Sequence, residues 1–241
     1  MDRLKRIKYL CLCASIALAA PATAQDGNPH QAFVDAFASR ERMMVAFTDN
    51  AEQSMIEETR RDPELVEMEA ECPGALKLMA SASMPVMTKS HGRAVDTYRA
   101  GLLALVSERM TAEQAAQAAE FYASEDGRFM IALAEESEVA TRSLADIRAN
   151  EDSSISREAY DADKAAQREA LRNSEHRERI AEVGMKLAAS DWFITFLGMR
   201  EQMHALQFAL NNDDFTPDED AALEHVVEKA MTGHFESCYA E

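Results

Sequence analysis

The chain has 241 residues and a formal net charge of −18 at pH 7. That excess of carboxylates argues against nucleic acid and anionic lipid headgroups as partners, because both carry negative charge themselves. An acidic surface of this kind is typical of a solvated protein, and it also attracts cations and basic proteins. Hydrophobic residues make up 47% of the sequence, which is enough to form a core in a chain of this length.

The first 24 residues have the three parts of a secretory signal peptide. The start is basic, with Arg3, Lys5, Arg6 and Lys8. An apolar segment from Leu10 to Ala20 follows, and Ala22-Thr23-Ala24 supplies the small residues that a signal peptidase recognises. We therefore predict export and cleavage between Ala24 and Gln25. An uncleaved anchor is the less favoured alternative, because the apolar segment is too short to span a bilayer comfortably and no second hydrophobic run follows it.

Two cysteines, Cys72 and Cys238, follow the predicted cut. A single pair of cysteines in an oxidising compartment usually forms a disulfide, so we predict a Cys72–Cys238 bond. The sequence has no C-x-x-C motif, which argues against redox catalysis. Four basic residues and one acidic residue precede the cut, so the net charge of the remaining chain falls from −18 to −21.

Helix-forming residues dominate, and no stretch alternates apolar and polar residues as a half-buried strand does. We predict an all-α fold, a multi-helix bundle of about seven to nine helices, in a single domain spanning 25–241. The polar run 149–157 is the best boundary between two similar helical halves, 25–149 and 157–241. Whether the halves are a duplication stays open, because helix-cap chemistry alone produces repeated motifs.

Three parts of the chain carry specific helix predictions. Ser83 and Pro85 predict the start of a long helix that ends near Met110. Capping boxes predict further helix starts at Thr111 and Thr216. The most apolar stretch runs from Trp192 to Leu210 and is hydrophobic all round, so we predict a central buried helix there. A hydrophobic groove for a partner helix or a lipid tail is the alternative.

The segment from Met110 to Met130 reads MTAEQAAQAAEFYASEDGRFM. It resembles the signature of a family of exported bacterial proteins, the domain of unknown function 2059. The shared features are a threonine-capped acidic helix, an aromatic pair, a small residue, a short acidic or proline-containing turn, and glycine followed by a basic residue. Here these are Thr111, Glu113, Phe121, Tyr122, Ser124, Gly127 and Arg128. The resemblance implies an all-helical periplasmic domain and no known activity, and Glu125-Asp126 stands where the family commonly has a proline.

The residues of this motif also have a structural interpretation, a tight αα-hairpin. Phe121 and Tyr122 end one helix, and Ser124 caps the next. Gly127 then allows close approach of a neighbouring helix or relaxes the turn between the two. A ligand site at the hairpin is the alternative, because polar residues on a turn can serve either role.

Methionine is frequent, with 14 residues in the chain. Met84, Met87 and His91 are spaced i, i+3 and i+7 on one predicted helix, where thioether and imidazole ligands would suit Cu(I). A helical core requires the same spacing, and methionine fills irregular cores well. Metal binding is therefore an alternative hypothesis beside plain core packing.

No catalytic or cofactor motif is present, since the sequence lacks H-E-x-x-H, G-x-S-x-G and a glycine-rich phosphate loop. We therefore predict no cofactor and a non-catalytic role, the binding of a protein or apolar partner in the periplasm. A periplasmic protein that handles Cu(I) or another metal and an uncharacterised enzyme are the alternatives.

Overall fold

The computed structural model describes residues 27–150 and 153–240, and the predicted signal peptide lies outside them. All regular secondary structure in those two ranges is helical, which confirms the all-α prediction. The ranges contain twelve helices, so the predicted count of seven to nine is too low. In chain order the helices are α1 (Pro29–Phe37), α2 (Arg40–Thr59), α3 (Pro63–Glu71), α4 (Ala75–Arg109), α5 (Ala112–Ala123), α6 (Glu125–Glu136), α7 (Thr141–Ala149), α8 (Arg157–Asn173), α9 (Arg177–Ala188), α10 (Asp191–Gly198), α11 (Arg200–Asn211) and α12 (Pro217–Cys238).

The apolar segment from Trp192 to Leu210 accounts for one of the additional helices. It forms two helices, α10 and α11, which meet at Met199. The Met199 N–H bonds to the Phe196 carbonyl at 3.0 Å, three residues back instead of four. A break of this kind disturbs few hydrogen bonds, and the hydrophobic pattern does not reveal it. Among the helices of the described ranges, none is both long enough and apolar enough to cross a membrane.

Helix α4 is the central helix of the fold, and α1, α2, α3, α11 and α12 all pack against it. It contains 35 residues, which corresponds to about 50 Å at the usual helical rise. Gly74, with a φ of 93°, turns the chain into its first residue. This left-handed conformation suits glycine because it has no Cβ.

The predicted start of this helix at Ser83 is wrong, because α4 begins at Ala75 and Pro85 lies inside it. An internal proline costs a helix about 3 kcal/mol. The turns before Pro85 bury Leu76 and Met79 in the core, and burial of two such side chains contributes about 1.5–3 kcal/mol each. Tertiary packing therefore outweighs the local helix-breaking signal.

The two predicted capping boxes are both present. At the start of α5, the Gln114 N–H donates to Thr111 Oγ1 at 3.2 Å, and the Thr111 N–H donates to Gln114 Oε1 at 3.0 Å. Thr216 and Glu219 form the same pair of bonds at the start of α12. Each box satisfies backbone N–H groups that have no partner within the helix.

Two hydrophobic clusters lie along α4, one at each half. The first combines α2, the N-terminal half of α4, and α12, and its larger buried residues are Phe47, Met55, Leu76, Met79, Met87, Phe215, Leu223, Val227 and Met231. The second combines α1, the C-terminal half of α4, and α5 with α9 to α11. Its larger buried residues are Phe33, Val34, Tyr98, Leu102, Val106, Met110, Tyr122, Val183, Leu187, Trp192, Met199 and Met203. Residues from both sequence halves, 25–149 and 157–241, contribute to each cluster.

Candidate functional site

The motif around Gly127 forms the corner between α5 and α6, and Ser124 serves both helices. Its N–H bonds to the Phe121 carbonyl at 2.9 Å, which ends α5. Its hydroxyl oxygen accepts the Gly127 N–H at 3.2 Å, which caps α6, and donates to the Phe121 carbonyl at 2.6 Å. One serine therefore satisfies backbone groups at two helix ends.

Gly127 lies directly against the last turn of α5. A Cβ added at this position would overlap the backbone of Phe121 and Tyr122. The close neighbour is thus the preceding helix, joined to α6 through the corner itself. Arg128 follows on the exposed side of α6, and its N–H bonds to the Ser124 carbonyl at 3.0 Å.

The aromatic pair of the motif points into the second hydrophobic cluster. Tyr122 is only 8% exposed, and its ring lies 4.9 Å from the Phe37 ring and 6.1 Å from the Trp192 ring. Burial raises the pKa of the Tyr122 hydroxyl. These contacts give each motif residue except Glu113 and Arg128 a packing or capping role. The alternative, a ligand site at the hairpin, stays a prediction.

The predicted metal ligands all lie on α4, in and beside the first hydrophobic cluster. Met87 is 3% exposed, and Met84 packs against the same cluster. The His91 ring stacks on the Phe47 ring with centroids 4.3 Å apart. In residues 27–150 and 153–240, no group of three or more His, Cys, Asp or Glu residues could hold a metal ion. Cu(I) binding by the thioethers and His91 stays a prediction.

Cys72 and Cys238 form a disulfide, with their Cα atoms 5.8 Å apart. Cys72 is fully buried at the end of α3, whereas Cys238 is the last residue of α12. The bond therefore ties the C-terminal helix to the junction between α3 and α4.

A partly buried polar cluster between α2, α6, α8 and α11 was not predicted. Arg42 pairs with Glu135 at 3.1 Å, and Lys164 lies 3.9 Å from Glu138. Burial raises the pKa of both glutamates, while the facing cation of each opposes that rise. Beside these pairs, the Tyr160 hydroxyl donates to Gln207 Oε1 at 3.4 Å.

A small cleft adjoins this cluster and is lined by Glu138, Ser143, Leu144, Ile147, Tyr160 and Lys164, among others. Asp163 also lines it and is 2% exposed. The Asp163 carboxylate accepts the N–H groups of Arg142 and Ser143 at 2.9 and 2.8 Å, so it caps α7 from a neighbouring helix. Helix α7 begins after Ala140, which cannot cap it. An uncapped helix start is the one sequence signal that could have indicated this contact.

Helix α10 presents an apolar face to solvent. Ile194 is 65% exposed and Leu197 is 52% exposed, and residues three apart are neighbours on a helix surface. Trp192, on the opposite side of the helix, is 3% exposed and packs in the second cluster. The prediction of a central buried helix is therefore wrong for α10. The central helix is α4 instead. We call Ile194 and Leu197 the α10 face.

Comparisons with protein-family models, with curated proteins and with solved structures return no match for this chain. The resemblance to the domain of unknown function 2059 accordingly stays a prediction based on residues 110–130.

Proposed function

We propose that this protein is an exported, non-catalytic binding protein of the periplasm, and that its α10 face docks an apolar helix face of a basic partner protein. The observation that carries the proposal is the exposure of Ile194 and Leu197 on the same surface of α10. Exposed apolar side chains grouped on one surface are typical of interaction sites, whereas isolated ones need no explanation.

The shape of the α10 face suits a helical partner. Two aliphatic side chains one turn apart offer a short ridge, and an amphipathic helix supplies matching side chains at i and i+3 or i+4. Phe193 and Phe196 of the same helix are partly buried and pack against the second hydrophobic cluster. This packing holds α10 in place, which limits the conformational entropy lost on binding.

The charge of the chain favours a basic partner over a second copy. The formal charge, −18 for the full chain and −21 after the predicted cleavage, makes two copies repel each other, while it attracts a lysine-rich or arginine-rich segment. Of the exposed charged residues next to the face in sequence, Asp191 and Glu201 are acidic and Arg200 is basic. Long-range attraction then speeds the encounter, and apolar contact provides the affinity.

A synthetic amphipathic helix with leucines on one face and lysines on the other provides the test. We expect the wild-type protein to bind it, and the Ile194→Gln/Leu197→Gln variant to bind roughly thirtyfold more weakly. Burial of the exposed part of each side chain contributes about 1 kcal/mol, and the substitutions leave the net charge unchanged. Fluorescence anisotropy of the labelled peptide measures the affinity, and the attraction should weaken as salt rises.

The matched control is Val66→Gln, because Val66 is an apolar residue of α3 that is 44% exposed. This variant should bind the peptide as the wild type does. Equal affinity of the α10 double variant and the wild type would reject the α10 face as the docking surface. Self-association of the wild type that the double variant abolishes would show instead that a second copy occupies the face.

A further inference from the structure

Met185 differs from every other methionine in the part of the chain that the structure describes. It is 70% exposed, on the outer side of α9. The twelve other methionines of residues 27–150 and 153–240 are half-buried or buried. The half-buried ones are Met43, Met44, Met68, Met84 and Met130, and the buried ones are Met55, Met79, Met87, Met110, Met199, Met203 and Met231.

The local structure leaves this thioether open to small reagents in solvent. Val183 and Leu187 form the buried side of α9, and Met185 lies between them in sequence, on the opposite side of the helix. No heavy atom lies within 4 Å of a Cβ added at the adjacent Gly184, so the surroundings are open there as well. Lys186 pairs with Asp126 at 2.8 Å and with Glu182 at 3.2 Å, which anchors this turn of α9 to α6.

We propose that Met185 is the site at which the folded protein is oxidised to methionine sulfoxide by peroxides. The sulfur lone pair attacks one oxygen of hydrogen peroxide, and an S–O bond forms as the O–O bond breaks. The sulfur gives up two electrons, and the departing hydroxide takes the proton of the new S–OH group to form water. The products are one sulfoxide and one water, and the peroxide is reduced.

The fold accommodates this reaction at Met185 but not at the core methionines. A sulfoxide is polar, so its oxygen is hydrated on the outer side of α9, where Met185 is already 70% exposed. Met199 is 1% exposed and Met55 is also 1% exposed, so an oxygen on either sulfur would enter a packed core. Reaction at these residues requires local unfolding first, which makes it slower than reaction at Met185.

Limited oxidation with hydrogen peroxide, followed by peptide mapping with mass spectrometry, tests the proposal. We expect the Met185 peptide to gain one oxygen about tenfold faster than the peptides that contain Met130 or Met199. The protein with one oxygen added should keep the melting temperature of the untreated protein. In the Met185→Leu variant the first oxidation event should slow about threefold, because the five half-buried methionines still react, whereas in Met130→Leu its rate should hardly change. Oxidation of Met130 or Met199 at the rate of Met185, or a fall in melting temperature that accompanies the Met185 sulfoxide, would overturn the proposal.

Discussion

Arg93 of α4 is the residue that holds the start of the last helix in place. Its guanidinium donates to the Glu219 carboxylate at 3.0 Å and to the Asp214 carbonyl at 2.7 Å, and it pairs with Asp213 at 2.7 Å. Glu219 is also the third residue of the α12 capping box, and its side chain is only 7% exposed. A single arginine thus joins the central helix to the loop before α12 and to its first turn.

This environment gives Glu219 an unusual acidity. Burial alone would raise its pKa, but the hydrogen bonds from Arg93 and from Thr216 outweigh burial and lower the pKa to about 2. A carboxylate whose pKa falls on folding stabilises the protein above its unfolded pKa, and this contribution is lost as the pH falls through the folded pKa. The contribution of Glu219 is therefore complete at neutral pH and disappears between about pH 4.5 and pH 2.

We expect Glu219→Gln to lower the free energy of unfolding by about 3 kcal/mol at pH 7, the value that follows from the change in pKa. Urea denaturation of variant and wild type at several pH values measures it, and the difference should vanish near pH 2. Asp96→Asn is the control, because the Arg40–Asp96 pair is half exposed at the surface and should contribute little. A difference between Glu219→Gln and wild type that is independent of pH would contradict the assigned ionisation.

The corner between α5 and α6 shows how two elements depend on one small residue. The last turn of α5 and the first turn of α6 come together so closely that only a hydrogen atom fits at Gly127. Ser124 bonds to both helices, and the buried Tyr122 fixes the corner to the core. This corner sets the direction of α6. It therefore also sets the position of the polar cluster that lies at the far end of this helix.

We expect Gly127→Val to lower the melting temperature by several degrees, because its Cβ would overlap backbone atoms that cannot move without opening the corner. Differential scanning calorimetry measures the change. Gly184→Val is the matched control, since nothing lies within 4 Å of a Cβ at that helical position. Similar melting temperatures for the two variants would show that the close contact at Gly127 does not matter for stability.

At the scale of the whole molecule, one helix carries two hydrophobic cores. Helix α4 runs through both, and α12 returns from the end of the chain to cover its N-terminal half. The Cys72–Cys238 bond closes a loop with a sequence separation of 166 residues around this arrangement. Such a long closure restricts the unfolded chain far more than the folded one.

We expect Cys238→Ser to lower the free energy of unfolding by up to about 5 kcal/mol, the value that loop-closure entropy gives for a loop of this size. Thermal melts of variant and wild type measure the loss, and wild type in reductant should resemble the variant. Cys238 is the better position to change because Cys72 is fully buried, where a serine hydroxyl would add its own cost. Labelling of both thiols in the native, unreduced protein would show that no bond exists.

Features that depend on neighbouring residues, such as the helix caps, were predictable because a few consecutive residues contain all the groups that form them. The capping boxes at Thr111 and Thr216 need only a threonine and the residue three positions later, and both are present. The pairing of Cys72 with Cys238 was predicted from the number of cysteines and the predicted compartment, and the structure contains the bond. The all-α class followed from composition and from the absence of strand patterns.

Apart from the disulfide, long-range contacts were not predictable, and they account for the wrong start of α4 and for the unpredicted polar contacts. Pro85 predicted a helix start, yet buried residues before it extend α4 back to Ala75. Arg93 and Glu219 are separated by 126 positions, so no local pattern connects them. The polar cluster and the cap that Asp163 places on α7 also join residues of different helices.

The amino-acid sequence alone was sufficient to predict the helical class, the starts of the best-capped helices, the acidic charge and the single pair of cysteines after the predicted cut. Which helix is central, and which apolar residues stay outside the core, depends on how the helices pack. The sequence marks Ile194, Leu197 and Met185 as apolar just as it marks Trp192 and Met199. Periodicity shows that a helix has an apolar side, but whether that side is buried depends on which distant helix packs against it.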